Sequence, residues 1–185
     1  MSKQLSVAII YGLAEGRYHS RKLRRALVSV GYQVTPAAQS ADIIIAHSAG
    51  CYLVPAEHRA QLVLNIGYTY WPARSLLRSL HVKLTEERRH VGIPIWLYNC
   101  LIHTLYMCNI VHTWRLAQAW STRRQYLADL QWPEAFVRNR DDPYCQAESL
   151  LQITHQQHRY VSLPGYHDHL WNEPDVYVNL LQSVI

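Results

Sequence analysis

An α/β architecture, with a mostly parallel sheet and helices on both faces, is predicted by three features of the sequence. Short β-branched runs recur, as in "LSVAIIYG", "DIIIAH" and "QLVLNIG". They alternate with segments whose apolar residues repeat at helical spacing. The runs are apolar at consecutive positions, as strands buried on both faces require. A chain of 185 residues, 49% apolar and 17% charged, can build one core in one domain.

The elements follow in order. Leu5 to Gly12 reads as a first buried strand ended by glycine. In "RYHSRKLRRALVSVG", Leu23, Leu27 and Val30, with Ala26 between them, line one helical face. Arg17, Arg21, Arg24 and Arg25 lie mostly elsewhere, and Gly31 stops the helix. "YQVTP" holds a very short strand, "DIIIAH" a second clear one, and "AGCYLVPAEH" the start of a short helix. Gln61 to Gly67 is a further strand. From Tyr68 to about Gln131 the strand signal gives way to helical segments, broken near Gly92 and Pro94. Strands resume at Glu134 to Asn139. "QAESLLQITHQQ" reads as helix, "RYVSLPG" as strand, and "PDVYVNLLQSVI" as a last helix opened by proline. The organisation expected is a core formed by residues 1–67 and 132–185, with a helical insertion at 68–131.

Composition narrows the function classes. A net charge of +5 is too small to imply nucleic acid by itself. The basic run "RYHSRKLRR" reads as the solvated face of the first helix; its functional alternative is weak attraction to anionic substrates or a membrane surface. Cys51, Cys100, Cys108 and Cys145 form no C-x-x-C pair, so reduced thiols and a cytoplasmic location are expected. The start "MSKQLSVAIIYG" reads as a strand, not a secretory leader. Ile93 to Trp114 is interrupted by Asn99, His103, Asn109 and His112, so no transmembrane segment is expected. Eleven histidines invite a metal reading, through His155 and His158 or His167 and His169. No H-E-x-x-H or cysteine-rich pattern accompanies them, and neither metal nor cofactor is expected.

The chemically informative stretch is Ala41 to Cys51, "ADIIIAHSAGC". A strand that reverses into a helix within so few residues forces the middle residue into a strained backbone. Residues two positions away must then be small. Here Ala46 and Gly50 flank Ser48. The bland alternative is an ordinary turn with a serine cap. On this stretch the chain resembles the α/β-hydrolase family, with alanine where the usual G-x-S-x-G has its first glycine.

The resemblance implies a serine nucleophile, then an acid, then a histidine, in that order along the chain. After "EAFVRN" the sequence reads "RNRDDPYC", which makes Asp142 the acid and Asp141 its alternative. After the last strand it reads "VSLPGYHDHLWNEP", which makes His167 the base, with His169 the near competitor and Asp168 a supporting group or turn former. The oxyanion would be held by the backbone N–H of Ala49 and of Leu13, in the loop after the first strand. The insertion carries Trp96, Tyr98, Leu101, Leu105, Tyr106, Met107 and Trp114, and occupies the place where the family often inserts a lid. His47, Trp96 and Tyr106 are the residues expected to line a substrate pocket. The implied protein is a small serine hydrolase, carboxylesterase-like, acting on an ester or thioester, possibly an amide, of a small-molecule acyl substrate. The alternative is a non-catalytic relative that binds a ligand or partner through the cap.

Overall fold

The computed structural model describes residues 4–12, 15–68, 93–109, 134–145 and 159–185, with isolated positions between 81 and 119. Its centre is a six-stranded sheet. The strands are β1 (Ser6–Ile10), β2 (Gln33–Thr35), β3 (Ile43–His47), β4 (Leu62–Ile66), β5 (Glu134–Asn139) and β6 (Arg159–Leu163). Their spatial order is β2-β1-β3-β4-β5-β6, and every pairing is parallel. Registers such as Ile9 with Ile45 and Ile45 with Leu64 align the carboxyl ends of the central strands. Loops leaving those ends therefore converge on one edge, where open parallel sheets place their ligands.

Both faces are covered. On one, Val7, Ile43, Ile45, Leu64, Ile66 and Val137 pack against helix α1 (Arg21–Ser29) through Leu23 and Leu27. The same face receives the C-terminal helices through Leu170, Tyr177 and Leu181. On the other, Ala8, Ile44, Ala46, Val63 and Phe136 meet Ala49, Cys51, Tyr52 and Tyr68, with Ala119 alongside. The alternation of adjacent isoleucines in "DIIIAH" between the two clusters is why Ile43, Ile44 and Ile45 are apolar at consecutive positions.

Local stops follow from sequence. Helix α1 ends at Gly31, whose φ of +97° is the left-handed conformation glycine tolerates. The Tyr32 N–H donates to the Leu27 carbonyl and the Gly31 N–H to that of Val28, which closes a Schellman turn. After β3 the chain forms a 3-10 helix over Ser48–Leu53, where the start of a short helix is expected. It stops ahead of Pro55: the residue before a proline is driven out of the helical region, and Val54 is extended at φ −60°, ψ 122°.

Between β4 and β5 lies helix α2 (Ile93–Cys108). Ile93, Leu97, Leu101 and Leu105 recur every four residues along it and are all exposed. The rest of the expected insertion is outside the described residues or described only at single positions. The helix expected over 146–157 lies outside them as well. The chain closes with α3 (His169–Asn172) and α4 (Pro174–Val184), the latter with Pro174 at its first position as expected. Among the described residues no helix is long and apolar enough to cross a membrane. Cys51, Cys100 and Cys145 carry free thiols.

Candidate active site

The turn after β3 is strained at one residue. Ser48 has φ of +52° and is the only non-glycine residue with positive φ among those described. Holding a serine there costs on the order of 1–3 kcal/mol, which the surrounding packing must offset. The flanking small residues explain how the turn fits. A Cβ built on Gly50 would lie 2.6 Å from the Tyr11 carbonyl oxygen and 2.7 Å from that of Ile10. One built on Gly12 would lie 2.9 Å from the Ser48 Cβ and 3.1 Å from the His47 carbonyl oxygen. At Gly50 backbone approaches backbone, and at Gly12 the Ser48 side chain and the Glu15 carboxylate occupy the space a Cβ would need. The Ser48 side-chain oxygen faces an imidazole.

That imidazole is His167, from the loop after β6. Its Nε2 lies 2.9 Å from Ser48 Oγ. Its Nδ1 lies 2.8 Å from Oδ2 of Asp142, in the loop after β5. An ionised carboxylate only accepts, so Nδ1 carries the hydrogen and Nε2 offers its lone pair to the serine hydroxyl. The other oxygen of Asp142 accepts the Tyr144 and Cys145 N–H groups at 2.8 and 3.3 Å, which fixes the carboxylate against rotation. Burial pushes the Asp142 carboxyl up, but His167, the Tyr144 amide and His47 outweigh it and hold the group below the usual range. Burial pushes His167 down. The Asp142 charge opposes this, with Asp168 and Glu15 adding to it, and the net direction is up. Gly67, at φ +61°, forms the floor. A Cβ there would sit 3.2 Å from His167 Cε1 and 3.3 Å from Asp142 Oδ2.

The two alternative residues lie elsewhere. Asp141 is exposed, and its N–H bonds the Gly165 carbonyl. His169 Nδ1 lies 3.2 Å from the Tyr177 hydroxyl, which donates to Asn139 Oδ1 at 2.6 Å. That oxygen is already a donor, so His169 Nδ1 carries a hydrogen and donates to it. Asn139 also bonds the Tyr166 carbonyl, which ties the end of β5 to the loop bearing His167.

The remaining expected site residues are distributed differently. Ala49 follows Ser48 in the 3-10 helix, where the first N–H groups have no partner within the helix. Leu13 lies outside the described residues. Trp96 is half-buried on α2; Tyr106 is on the same helix, and its side chain is outside the described residues. His47 has no side-chain surface open to solvent. Its Nε2–H donates to the His167 carbonyl at 2.9 Å.

One participant had no visible motif. Glu15 Oε2 accepts the Gly12 N–H at 2.6 Å, and Oε1 accepts the Trp171 indole N–H at 3.1 Å. The same Oε1 lies 2.7 Å from His47 Nδ1, in a contact too poorly aligned for a hydrogen bond and therefore chiefly electrostatic. Burial raises the Glu15 carboxyl, but His47 and Trp171 reverse this and lower it to about 2. The only sequence clue was an acid three residues beyond the glycine that ends β1. Glu15, His47 and Asp168 bring potential metal-ligating atoms within 4.8 Å of one another. Glu15 is already engaged by the Gly12 amide and the Trp171 indole, and His47 Nε2 by the His167 carbonyl.

No protein-family model and no curated protein matches the sequence. Solved structures do match. The chain is similar to the thioesterase domain from the curacin biosynthetic pathway, at 14% identity and a TM-score of 0.63, covering 97% of this chain and 92% of that one. It is also similar to a meta-cleavage product hydrolase from Pseudomonas fluorescens IP01, at 13% identity and a TM-score of 0.64, over 98% and 90% of the two chains. A marine microorganism esterase aligns at 12% identity with a TM-score of 0.61, over 100% and 96%. With its parallel six-stranded sheet, its strained serine turn after β3 and this set of structural neighbours, the chain has the α/β-hydrolase fold.

Proposed function

We propose that the protein is a serine hydrolase that cleaves an ester or thioester through an acyl-enzyme. The observation that carries this reading is the unbroken line from Ser48 Oγ through His167 to Asp142, with contacts of 2.9 and 2.8 Å. A serine hydroxyl is a weak nucleophile until a base takes its proton, and a base is effective when a third group fixes its tautomer.

In the proposed reaction His167 Nε2 takes the Ser48 proton as Oγ bonds to the acyl carbon. Asp142 holds Nδ1–H and stabilises the imidazolium. The carbonyl oxygen gains the charge, and the Ala49 amide receives it, with Leu13 proposed as the second donor. The Gly12 amide is bonded to Glu15, which is consistent with a neighbouring amide as the second donor. The imidazolium gives its proton to the leaving oxygen or sulfur. A water then loses a proton to His167, attacks the acyl carbon, and frees Ser48 as the acid departs. The exposed apolar row of α2, inserted between β4 and β5, is proposed as part of a cap that receives the acyl chain.

A fluorophosphonate probe tests the reading. Labelling of the wild type and not of Ser48→Ala, together with turnover across a panel of acyl esters and thioesters, is the expected result. Folded wild-type protein that neither labels nor turns over any ester overturns it in favour of a ligand- or partner-binding relative.

A further inference from the structure

Three backbone segments must hold still for the proposed chemistry. They are the loop after β1, the turn at Ser48 and the loop carrying His167. All three meet at one contact, between Glu15 and His47. Glu15 belongs to the first loop and fixes it by accepting the Gly12 N–H. It faces His47, the residue next to Ser48. It also accepts the indole N–H of Trp171, in α3, four residues beyond His167. His47 closes the circuit by donating to the His167 carbonyl, and the two imidazole rings lie 4.9 Å apart. The partners are up to 156 residues apart in sequence, so chain connectivity alone does not produce this convergence.

We propose that Glu15, acting with His47, is a positioning residue for the hydrolytic reaction, clamping the oxyanion loop, the nucleophile turn and the base loop to one another. The inference rests on the serine-hydrolase reading and deepens it. His47 takes no proton from substrate in this arrangement. One nitrogen is bound to a carbonyl, which only accepts, and the other faces a carboxylate. Its role is mechanical and electrostatic. An isosteric change that keeps the shape and removes the charge should therefore disturb rate more than binding, because small misplacements of reacting groups cost about 100-fold.

The charged and titratable groups around this pair are known from each side. Glu15 faces His47, with Asp168 nearby and its charge felt at His167. His167 faces Asp142, Tyr144 and His47. The Glu15 charge favours the protonated form of His167, so its removal shifts the onset of activity to lower pH.

The test compares full-length wild type, Glu15→Gln, His47→Gln and the double variant. It uses fluorophosphonate labelling and turnover of a p-nitrophenyl ester, with thermal unfolding as the control for folding. The expected result is cooperative unfolding of Glu15→Gln, kcat lower by about 10- to 100-fold, KM within about twofold, and an acid limb moved to lower pH. The double variant should be no slower than the slower single one, as for residues acting as a unit. If Glu15→Gln does not fold, His47→Gln carries the same expectations for kcat and KM, with no downward move of the acid limb because the Glu15 charge remains. Wild-type kcat and pH profile in the single variants, or losses that multiply in the double variant, overturn the inference while wild-type labelling leaves the hydrolase reading intact. A wild type that does not label at Ser48 overturns both.

Discussion

Two histidine–carboxylate pairs lie side by side at the edge of the sheet, and they differ in where the second nitrogen points. In one, Asp142 holds Nδ1 of His167, and Nε2 faces the Ser48 hydroxyl. In the other, Glu15 faces Nδ1 of His47, and Nε2 is bound to a backbone carbonyl. Both carboxylates are held below their ordinary range. A nitrogen facing a hydroxyl can accept a proton, whereas one bonded to a carbonyl must keep its own. The same pair of side chains therefore supports a proton relay in the first case and a clamp in the second. Burial and a perturbed pKa alone do not distinguish them.

The sharpest way to break this comparison is at its reactive end. Ser48→Ala should lower turnover by about a million-fold with unfolding unchanged, as loss of a nucleophile does. Asp142→Asn should cost about 10,000-fold through loss of the correct tautomer. The gap between that loss and the smaller one expected for Glu15→Gln separates relay from clamp; equal losses would erase the distinction.

The pH dependence sharpens it further. Activity needs neutral His167, whose pKa is raised above 6.5, so kcat/KM in the wild type should climb with pH through a limb lying above that value. Asp142→Asn removes the main group raising it and should move the residual limb downward. Stability should respond in a separate, more acidic window. The Glu15 carboxyl goes from 4.5 when unfolded to about 2 in the native protein, so its contribution is complete above about pH 4.5 and fades as pH falls toward 2. Chemical denaturation should show Glu15→Gln losing less stability than the wild type across that window.

The smallest expected effect concerns the turn that both pairs flank. Gly50→Ala forces a methyl against two carbonyl oxygens and should destabilise by about 1–3 kcal/mol in denaturant melts. Gly16→Ala meets nothing within 4 Å and should change stability by less than about 0.5 kcal/mol.

Much of this was legible in the chain. Runs such as "DIIIAH" and "EAFVRN" marked strands through consecutive apolar residues, Ile43 to Ala46 and Ala135 to Val137, buried on both faces. Ser48, Asp142 and His167 stood out because each follows such a strand, and the structure brings the three side chains together. The strand order was not legible, since which strand neighbours which depends on long-range packing. Glu15 was missed for a different reason. An acid in a short loop looks like solvated surface until distant residues close over it, and Trp171 does so from the other end of the chain.

Gly67 carries a consequence of its own. It ends β4 directly beneath the imidazole, in a left-handed conformation that side chains disfavour by about 1–2 kcal/mol. Any larger residue there would push against His167 and Asp142 from below, so a fault introduced in the sheet would surface as a misaimed base. Rate and folding are thereby joined at a position that bears no reactive group. Selection for a working centre would guard that bare stretch of backbone as closely as the side chains above it.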